Sequence, residues 1–504
     1  MILGIHDGHN SSSSLISRER ILWAMSEERF VRKKNYRGFP KNSLSYILSK
    51  ERDFEYITVG SVFRRGKRLR DIKEFQSKVM KKLLYIYHHL SHSYLYKLSN
   101  FKECLVISID GAGDGLSFLA SIGSKDLEII AESDVIDSVG DFYASITELL
   151  GFKAMKDEGK VMSLSSFPCS ERIELKVLDY IEELKSFKNL LGVVGREGTE
   201  KLRELLNYKG ESFNEKVKIS RFAQETLERA VLKAVDNLSK EYGIENIVFT
   251  GGVAQNVKLN TKIAENYNLF VPPFMGDEGL SLGSSLSDRK IGRIEIKNTY
   301  FGYEIENEKV EEIIEEKKLS YKYLEDSEIP EVVGELILKN NIICVARGKM
   351  EFGPRALGNR SILALPTREN RERVNKILGR DWFMPFAPTI LYEHIDEYLK
   401  EPKYSPFMTL LFKVKEEKIK EIEGVVHVDK TTRAQTLKRE SNPIYYDTIK
   451  YIYDSINLPV LLNTSFNLHG EPIVCTERDA INSFLRTKFN YLLLANYLIK
   501  RENL

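Results

Sequence analysis

Twice along the chain, apolar runs alternate with short polar turns in the same order. Residues 2–28 read as three strands, ILGIHDG, SSSSLI and ILWAMSEE, and residues 104–133 repeat the pattern with CLVISIDGAGDG, LSFLASIG and LEIIAES. Each block opens on an apolar strand ending in Asp-Gly, at Asp7-Gly8 and Asp110-Gly111. Two such meanders predict a duplicated α/β domain. Between them lies a charged stretch, 27–82, with helical spacing, and LLYIY at 83–87 predicts a short buried strand running into His88-His89-Leu90-Ser91-His92. Residues 173–240 are predicted to be mostly helical. KVLDYIEELKSF and TLERAVLKAVDNLSKEYG both carry apolar residues three and four apart. NIVFT, 246–250, predicts a strand that enters a helix through Gly251-Gly252. A charged segment at 287–335 holds the predicted boundary. A second α/β unit starts near NNIICVARG, 340–348, and ends with LPVLLNTSFN, 458–467, and YLLLANYLIK, 491–500.

Composition narrows the class. A length of 504 residues suits about three domains or two large ones, and 42% hydrophobic with 29% charged residues supports sizeable cores. Lys+Arg 75 against Asp+Glu 73 leaves +2, no broad footprint for nucleic acid. No apolar run reaches the roughly 20 residues of a membrane span, and no signal peptide is expected at the start. Cys104, Cys169, Cys344 and Cys475 lie far apart, which argues against a zinc knuckle or disulfide framework and fits a cytoplasmic protein.

Several residues could carry chemistry. His88 and His92, at i and i+4, would share one helix face and could bind a divalent metal; a core-polar cluster explains the spacing equally simply. Asp277, in MGDEGLSLGSS, is a candidate third ligand or a helix N-cap. Strand-Gly251-Gly252-helix suits a phosphate cradle, with Asn256 facing the same turn, or an ordinary tight turn. Asp7 and His9, with Asp110 and Asp114, occupy the two repeated turns, where carboxylates could manage Mg2+ and an attacking group or merely form Asx turns. Lys349, Arg355 and Arg360 flank the glycines of GKMEFGPRALGNR, and Arg380 and Arg433 add cations in the same unit, a set suited to phosphate or carboxylate. Ser465 and Asn467, in NTSFN, end an apolar strand.

Taken in order, HHLSH, DGAGDG, DEGKVMSL, GGVAQN, GDEGLSLGSS, GKMEFGPRALGNRSIL, MPFAP and NTSFNLHGEPIV resemble the NodU/CmcH-type O-carbamoyltransferase family from about residue 2 to 490. The resemblance implies an α/β chain. A carbamoyl-transfer domain with a duplicated actin-like (ribonuclease H-like) ATPase-superfamily core occupies 1–300. A YrdC-like carbamoyl-adenylate-forming domain follows at 301–504. It implies ATP, with Mg2+, and carbamoyl phosphate as substrates, an iron (Fe2+) site, and a hydroxylated small-molecule acceptor, with no nucleic acid or membrane partner; a homodimer is the default expectation. It also implies His88, His92 and Asp277 as metal ligands. Gly251, Gly252 and Asn256 would form a nucleotide loop, Lys349, Arg355, Arg360, Arg380 and Arg433 would hold phosphates, and Ser465 and Asn467 would form the SxN signature. Asp7, His9 and Asp110 are the catalytic candidates. The chain departs from the family pattern at Leu378-Gly379-Arg380, where a KxR is usual, so Lys376 is a candidate substitute. Lys349 stands where arginine is common, and Ser163 and Ser165 replace smaller residues. A tRNA threonylcarbamoyl-type transferase or a nucleotide-binding regulator with a degenerate synthetic site are the alternatives.

Overall fold

A computed structural model of the chain describes residues 1–63, 66–210 and 212–501. Arg64 and Arg65 of the charged stretch at 27–82, Glu211 of the stretch at 173–240, and the last three residues of the domain expected at 301–504, lie outside the described residues. Two compact units divide the chain, one of Met1–Glu27 with Asn35–Glu295, the other of Glu28–Lys34 with Ile296–Leu504.

The first unit holds two five-stranded sheets of one design. Strands β1 (Ile2–His6), β2 (Ser12–Ile16) and β3 (Ile21–Ser26) form an antiparallel meander, and β4 (Tyr56–Gly60) and β5 (Lys82–Ile86) add in parallel on the far side of β1, giving the order β3-β2-β1-β4-β5. Strands β6 (Cys104–Gly113), β7 (Leu116–Gly123) and β8 (Leu127–Asp134) repeat the meander. After the hairpin of β9 (Leu178–Ile181) and β10 (Ser186–Asn189), strands β11 (Asn246–Thr250) and β12 (Asn268–Phe270) add in parallel to β6, giving β12-β11-β6-β7-β8. The two orders are the same, so the unit is a duplicated ribonuclease H-like, actin-like fold. The central strand β1 is buried along its whole length, as its unbroken ILGIH run requires of a strand covered on both faces.

Small residues let one helix dock deeply. The helix Leu280–Leu286, sequence LSLGSSL, is buried throughout. A Cβ on Gly4 of β1 would stand 2.0 Å from the Ser281 carbonyl oxygen, and one on Gly283 would stand 1.8 Å from the Ser91 carbonyl oxygen. This helix therefore lies against β1 and against the helix His88–Tyr94, and it carries Asp277, at its N-terminal approach, to the two histidines.

Two expectations need correction. LLYIY is a half-exposed edge strand, because β5 has a neighbour on only one side. KVLDYIEELKSF forms the β9–β10 hairpin rather than a helix: Leu178 and Tyr180, two apart, point inward with Phe187 and Asn189, and Lys185 turns the chain at φ +49°. TLERAVLKAVDNLSKEYG is helical up to Tyr242, in the helix Phe213–Tyr242, which Gly243 closes in the left-handed conformation.

In the second unit, β13 (Tyr300–Glu304) pairs with β16 (Lys349–Glu351). The main sheet is mixed. It is built from β14 (Tyr321–Tyr323), β15 (Ile343–Ala346), β17 (Arg360–Ala364), β18 (Ala387–Leu391), β21 (Gln435–Leu437), β22 (Val460–Ser465), β23 (Tyr491–Leu494) and β24 (Tyr497–Lys500), in the order β14-β24-β23-β15-β17-β22-β18-β21. The short β19 (Phe412–Lys413) and β20 (Thr431–Thr432) pair apart from it. Its core joins Ile343, Leu363, Leu391, Leu461 and Leu493 to the helices 329–338 and 443–456. Among the described residues, no helix is long and apolar enough to cross a membrane.

Candidate functional site

The carboxyl ends of β5, β6 and β11 meet in the first unit, the edge where such sheets carry their sites. There His88, His92, Asp110 and Asp277 each offer a ligand atom, and these atoms all lie within 4.8 Å of one another. Nε2 of His92 stands 3.2 Å from Asp110 Oδ2 and 3.5 Å from Asp277 Oδ1; Nε2 of His88 stands 3.8 Å and 3.5 Å from the same two oxygens. Both Nε2 atoms are buried without a hydrogen-bond partner. Buried nitrogens left unsatisfied are costly, and two imidazoles converging with two carboxylates form a donor set that fits a divalent transition ion. Burial opposes charge on His92, but Asp110 and Asp277 outweigh it and push its imidazole up to about 9. Asp110, despite burial, is held well below the usual carboxylate range by His88 and His92. Asp277 is lowered too, by His88, His92 and His6 against burial and the charge of Asp110. An ion would take the place of the proton that these carboxylates favour on the His92 imidazole.

Backbone details fix this cluster. Gly113 leaves room for His88: a Cβ there would stand 2.1 Å from His88 Cδ2. Asp110 is aimed by its own turn and by β11, accepting from Gly111 N at 2.6 Å and from Gly252 N at 3.0 Å. Asp114, at φ +52°, accepts from Ser61 Oγ and from the main-chain N–H groups of Val62, Phe63 and His88, all within 2.9 Å. These donors overcome burial and hold its carboxyl low. Asp114 thus clamps a loop and the start of the histidine helix. His89, between the two ligand candidates, bonds Ser108 Oγ and the Leu116 carbonyl, and burial pushes it down to about 3. His6, at the end of β1, is likewise driven to about 4 by burial. His9 stands 3.9 Å from Asp277 Oδ2. Asp7 is fully buried and receives Arg68 Nη2 at 2.6 Å.

The second unit gathers cations. Arg433, between β20 and β21, is pushed well below its usual range by burial and then by the like charges of Arg355 and Arg380, and its Nε is buried without a hydrogen-bond partner. Arg380 lies 4.2 Å over the Phe386 ring, donates to Thr464 Oγ1 at 3.3 Å at the end of β22, and is lowered to about 10 by burial. Beside it Ser465 Oγ donates to Asn467 Oδ1 at 2.6 Å, while Asn467 Nδ2 donates to the carbonyls of Leu468 and Glu471. Arg355 and Arg380 are thus near enough to act on Arg433 as like charges, with no acid among the charges acting on Arg433, an arrangement whose chemistry suits a polyanion.

Two families match the sequence: carbamoyltransferase N-terminus over residues 50–286 and carbamoyltransferase C-terminus over residues 334–501. An uncharacterized protein of Methanocaldococcus jannaschii is 68% identical over 99% of this chain and 100% of its own length. Nodulation protein NolNO of Sinorhizobium fredii is 31% identical over 98% of this chain and 79% of its own, and nodulation protein NolO of Bradyrhizobium diazoefficiens is 34% identical over 82% and 79%. The chain belongs to the carbamoyltransferase family. It is a transferase enzyme.

Measured against what its sequence predicts, this carbamoyltransferase brings His88, His92 and Asp277 together, with Asp110, a catalytic candidate, beside them. Gly251 and Gly252 do not offer their N–H groups to a phosphate: Gly251 N donates to the Met275 carbonyl and Gly252 N to Asp110. Gly251 is glycine because φ is +90° and a Cβ would meet the Ile109 carbonyl oxygen at 2.2 Å. Asn256 caps the helix Val257–Asn266 through Leu259 N and pairs with Gln224. Arg360 is no phosphate ligand either. It is fully buried, and its guanidinium donates to the carbonyls of Cys475, Arg347, Asn359, Tyr303 and Gly348, which consumes its donors. Lys349 opens β16, where its carbonyl accepts from Asn359. Leu378 is a buried core residue ending the helix Arg368–Leu378, and Lys376 is exposed. Arg68, the partner of Asp7, carries no local signal in the sequence beyond a basic helix.

Proposed function

We propose that the second unit activates a carbamoyl group with ATP and that the first unit passes it to a hydroxyl of a small molecule. The observation that carries the first half is the cluster of Arg355, Arg380 and Arg433, which would hold the triphosphate of ATP, brought as its Mg2+ complex, and the phosphate of carbamoyl phosphate. In this reading the second unit is YrdC-like. Carbamoyl phosphate loses phosphate to water, giving carbamate. A carbamate oxygen then attacks the α-phosphorus, the bond to the β-phosphate oxygen breaks, and pyrophosphate leaves. The guanidinium groups offset the charge that gathers on the phosphate oxygens. Carbamoyl-adenylate results. Its mixed anhydride is prone to hydrolysis, so shielding from water belongs to the reaction.

Transfer forms a bond from the acceptor oxygen to the carbamoyl carbon and breaks the bond to AMP, which leaves with its phosphate. The acceptor proton goes to a base. His9 is the better candidate, because Asp7 is committed to Arg68. His88, His92, Asp110 and Asp277 would hold a divalent transition ion, iron in this reading, which when bound supplies Lewis acidity toward a carbonyl or phosphate oxygen.

The test is carbamoyl-phosphate-dependent ATP–pyrophosphate exchange. The expected result is exchange by the wild type and loss of at least about tenfold in Arg433→Ala, the loss of a charge-assisted contact of about 1.5–3 kcal/mol. Exchange undiminished in Arg433→Ala would contradict the placement of the phosphates.

A further inference from the structure

The chain leaves the first unit after Glu27, contributes Glu28–Lys34 to the second, and returns at Asn35. Those strap residues grip two loops, one leading to Arg355 and the other bonded to the Ser465–Asn467 turn. Arg29, buried, donates Nη2 to the Gly353 carbonyl at 2.9 Å, one residue before Pro354-Arg355. Arg32 forks onto the other loop: Nη1 donates to the Ile473 carbonyl at 2.6 Å and Nη2 to the Pro472 carbonyl at 2.8 Å, with Nε 3.6 Å from Asp479 Oδ1. Phe30 meets the Tyr303 ring edge-on at 6.1 Å.

Both gripped segments lead directly to the anion site. Gly353, at φ +111°, opens the turn that presents Arg355, and the same turn is tied from within by Glu351, which accepts from Leu357, Asn359 and Arg360 N. Pro472 and Ile473 precede Val474, whose N–H donates to the Phe466 carbonyl, and they follow Glu471, whose carbonyl accepts from Asn467 Nδ2. The Ser465–Asn467 turn is thus bound to the peptide that Arg32 holds. Without the strap, the carbonyls of Gly353, Pro472 and Ile473 would lose these side-chain donors.

We infer that Arg29 and Arg32 are positioning residues of the anion site: from the N-terminal part of the chain they set the Arg355 turn and the Ser465–Asn467 turn at the spacing that carbamoyl phosphate requires. This rests on the activation reading above. Neither guanidinium is assigned to touch substrate.

The experiment uses the full chain and measures carbamoyl-phosphate-dependent ATP–pyrophosphate exchange against carbamoyl phosphate concentration in Arg29→Ala, Arg32→Ala, Arg29→Lys and Arg32→Lys, with wild type and Arg433→Ala alongside. The expected result is a KM for carbamoyl phosphate raised about 10- to 100-fold in both alanine variants, the scale of a small misplacement, with kcat little changed. Arg29→Lys should return close to wild type, because one ammonium can serve one carbonyl. Arg32→Lys should stay raised, because two carbonyls need a fork. Wild-type KM in the alanine variants overturns the inference. If those variants fail to fold, the lysine pair decides, and any pattern other than a raised KM in Arg32→Lys alone overturns it. Absence of exchange in the wild type, or exchange undiminished in Arg433→Ala, identifies the activation reading as the failure and takes this inference down with it.

Discussion

Gly113 and Arg360 mark what single residues decide here. Gly113 is bare because the His88 ring occupies the place of its side chain. Gly113→Ala should displace that imidazole and lower metal affinity by about 10–100-fold, the cost of losing a support behind a ligand. Metal content by mass spectrometry checks it, and full stoichiometry in the variant would contradict it. Arg360 and Arg433 stand in equally basic-looking stretches, yet one is a strut bonded to five carbonyls and the other is left among like charges with its Nε unpartnered, as the proposed anion site requires. The sequence cannot separate them, since the outcome depends on carbonyls up to 115 residues away. His88 and His92 were legible because their spacing alone puts them on one helix face. Lys97 gives a pH test. Its Nζ donates to the carbonyls of Asp288 and Ile291, and burial, against the charge of Asp288, lowers it to about 8. A lysine whose folded value lies below its unfolded value of roughly 10.4 costs stability while protonated, and the cost is relieved between those two values. Relative to Lys97→Met, the wild type should therefore gain stability from pH 8 to above pH 10 and show a constant difference below pH 8. Urea midpoints across pH check this, and a difference falling over that window would contradict it.

At the scale of elements, the helix Leu280–Leu286 has the leading role, since it seats Asp277 against the histidine helix. Gly283→Ala would force a Cβ into the Ser91 carbonyl, a backbone atom with no rotamer to move away. Overpacking of this kind costs about 1–3 kcal/mol, so the urea midpoint should fall. Bound metal should fall with it, because the same shift separates Asp277 from His92. The small-residue run GLSLGSS was visible in the sequence, but its two docking partners, β1 and the helix His88–Tyr94, lie too far along the chain to be read from it. Local ambiguity accounts for the misread hairpin. In KVLDYIEELKSF the apolar positions fit a period of two as well as one of three and four, and only packing against the rest of the core, with Tyr180 and Phe187 fully buried, chooses between them.

For the whole molecule, the duplication was the most legible feature, because two meanders with Asp-Gly ends leave the same trace twice. The duplicates have diverged in chemistry: Asp7 is bound by Arg68 and Asp110 joins His88 and His92. The hardest feature to read was the strap, since residues 28–34 look like the start of a charged helix and nothing local shows that they belong with residues 296–504. In the proposed function, activation and transfer are separate steps. The measurement that tests this most directly is His88→Ala, followed for bound metal, carbamoyl transfer and ATP–pyrophosphate exchange in one preparation. The expected result is that metal and transfer are lost while exchange persists at the wild-type rate; metal and transfer both retained, or exchange lost along with them, would contradict it.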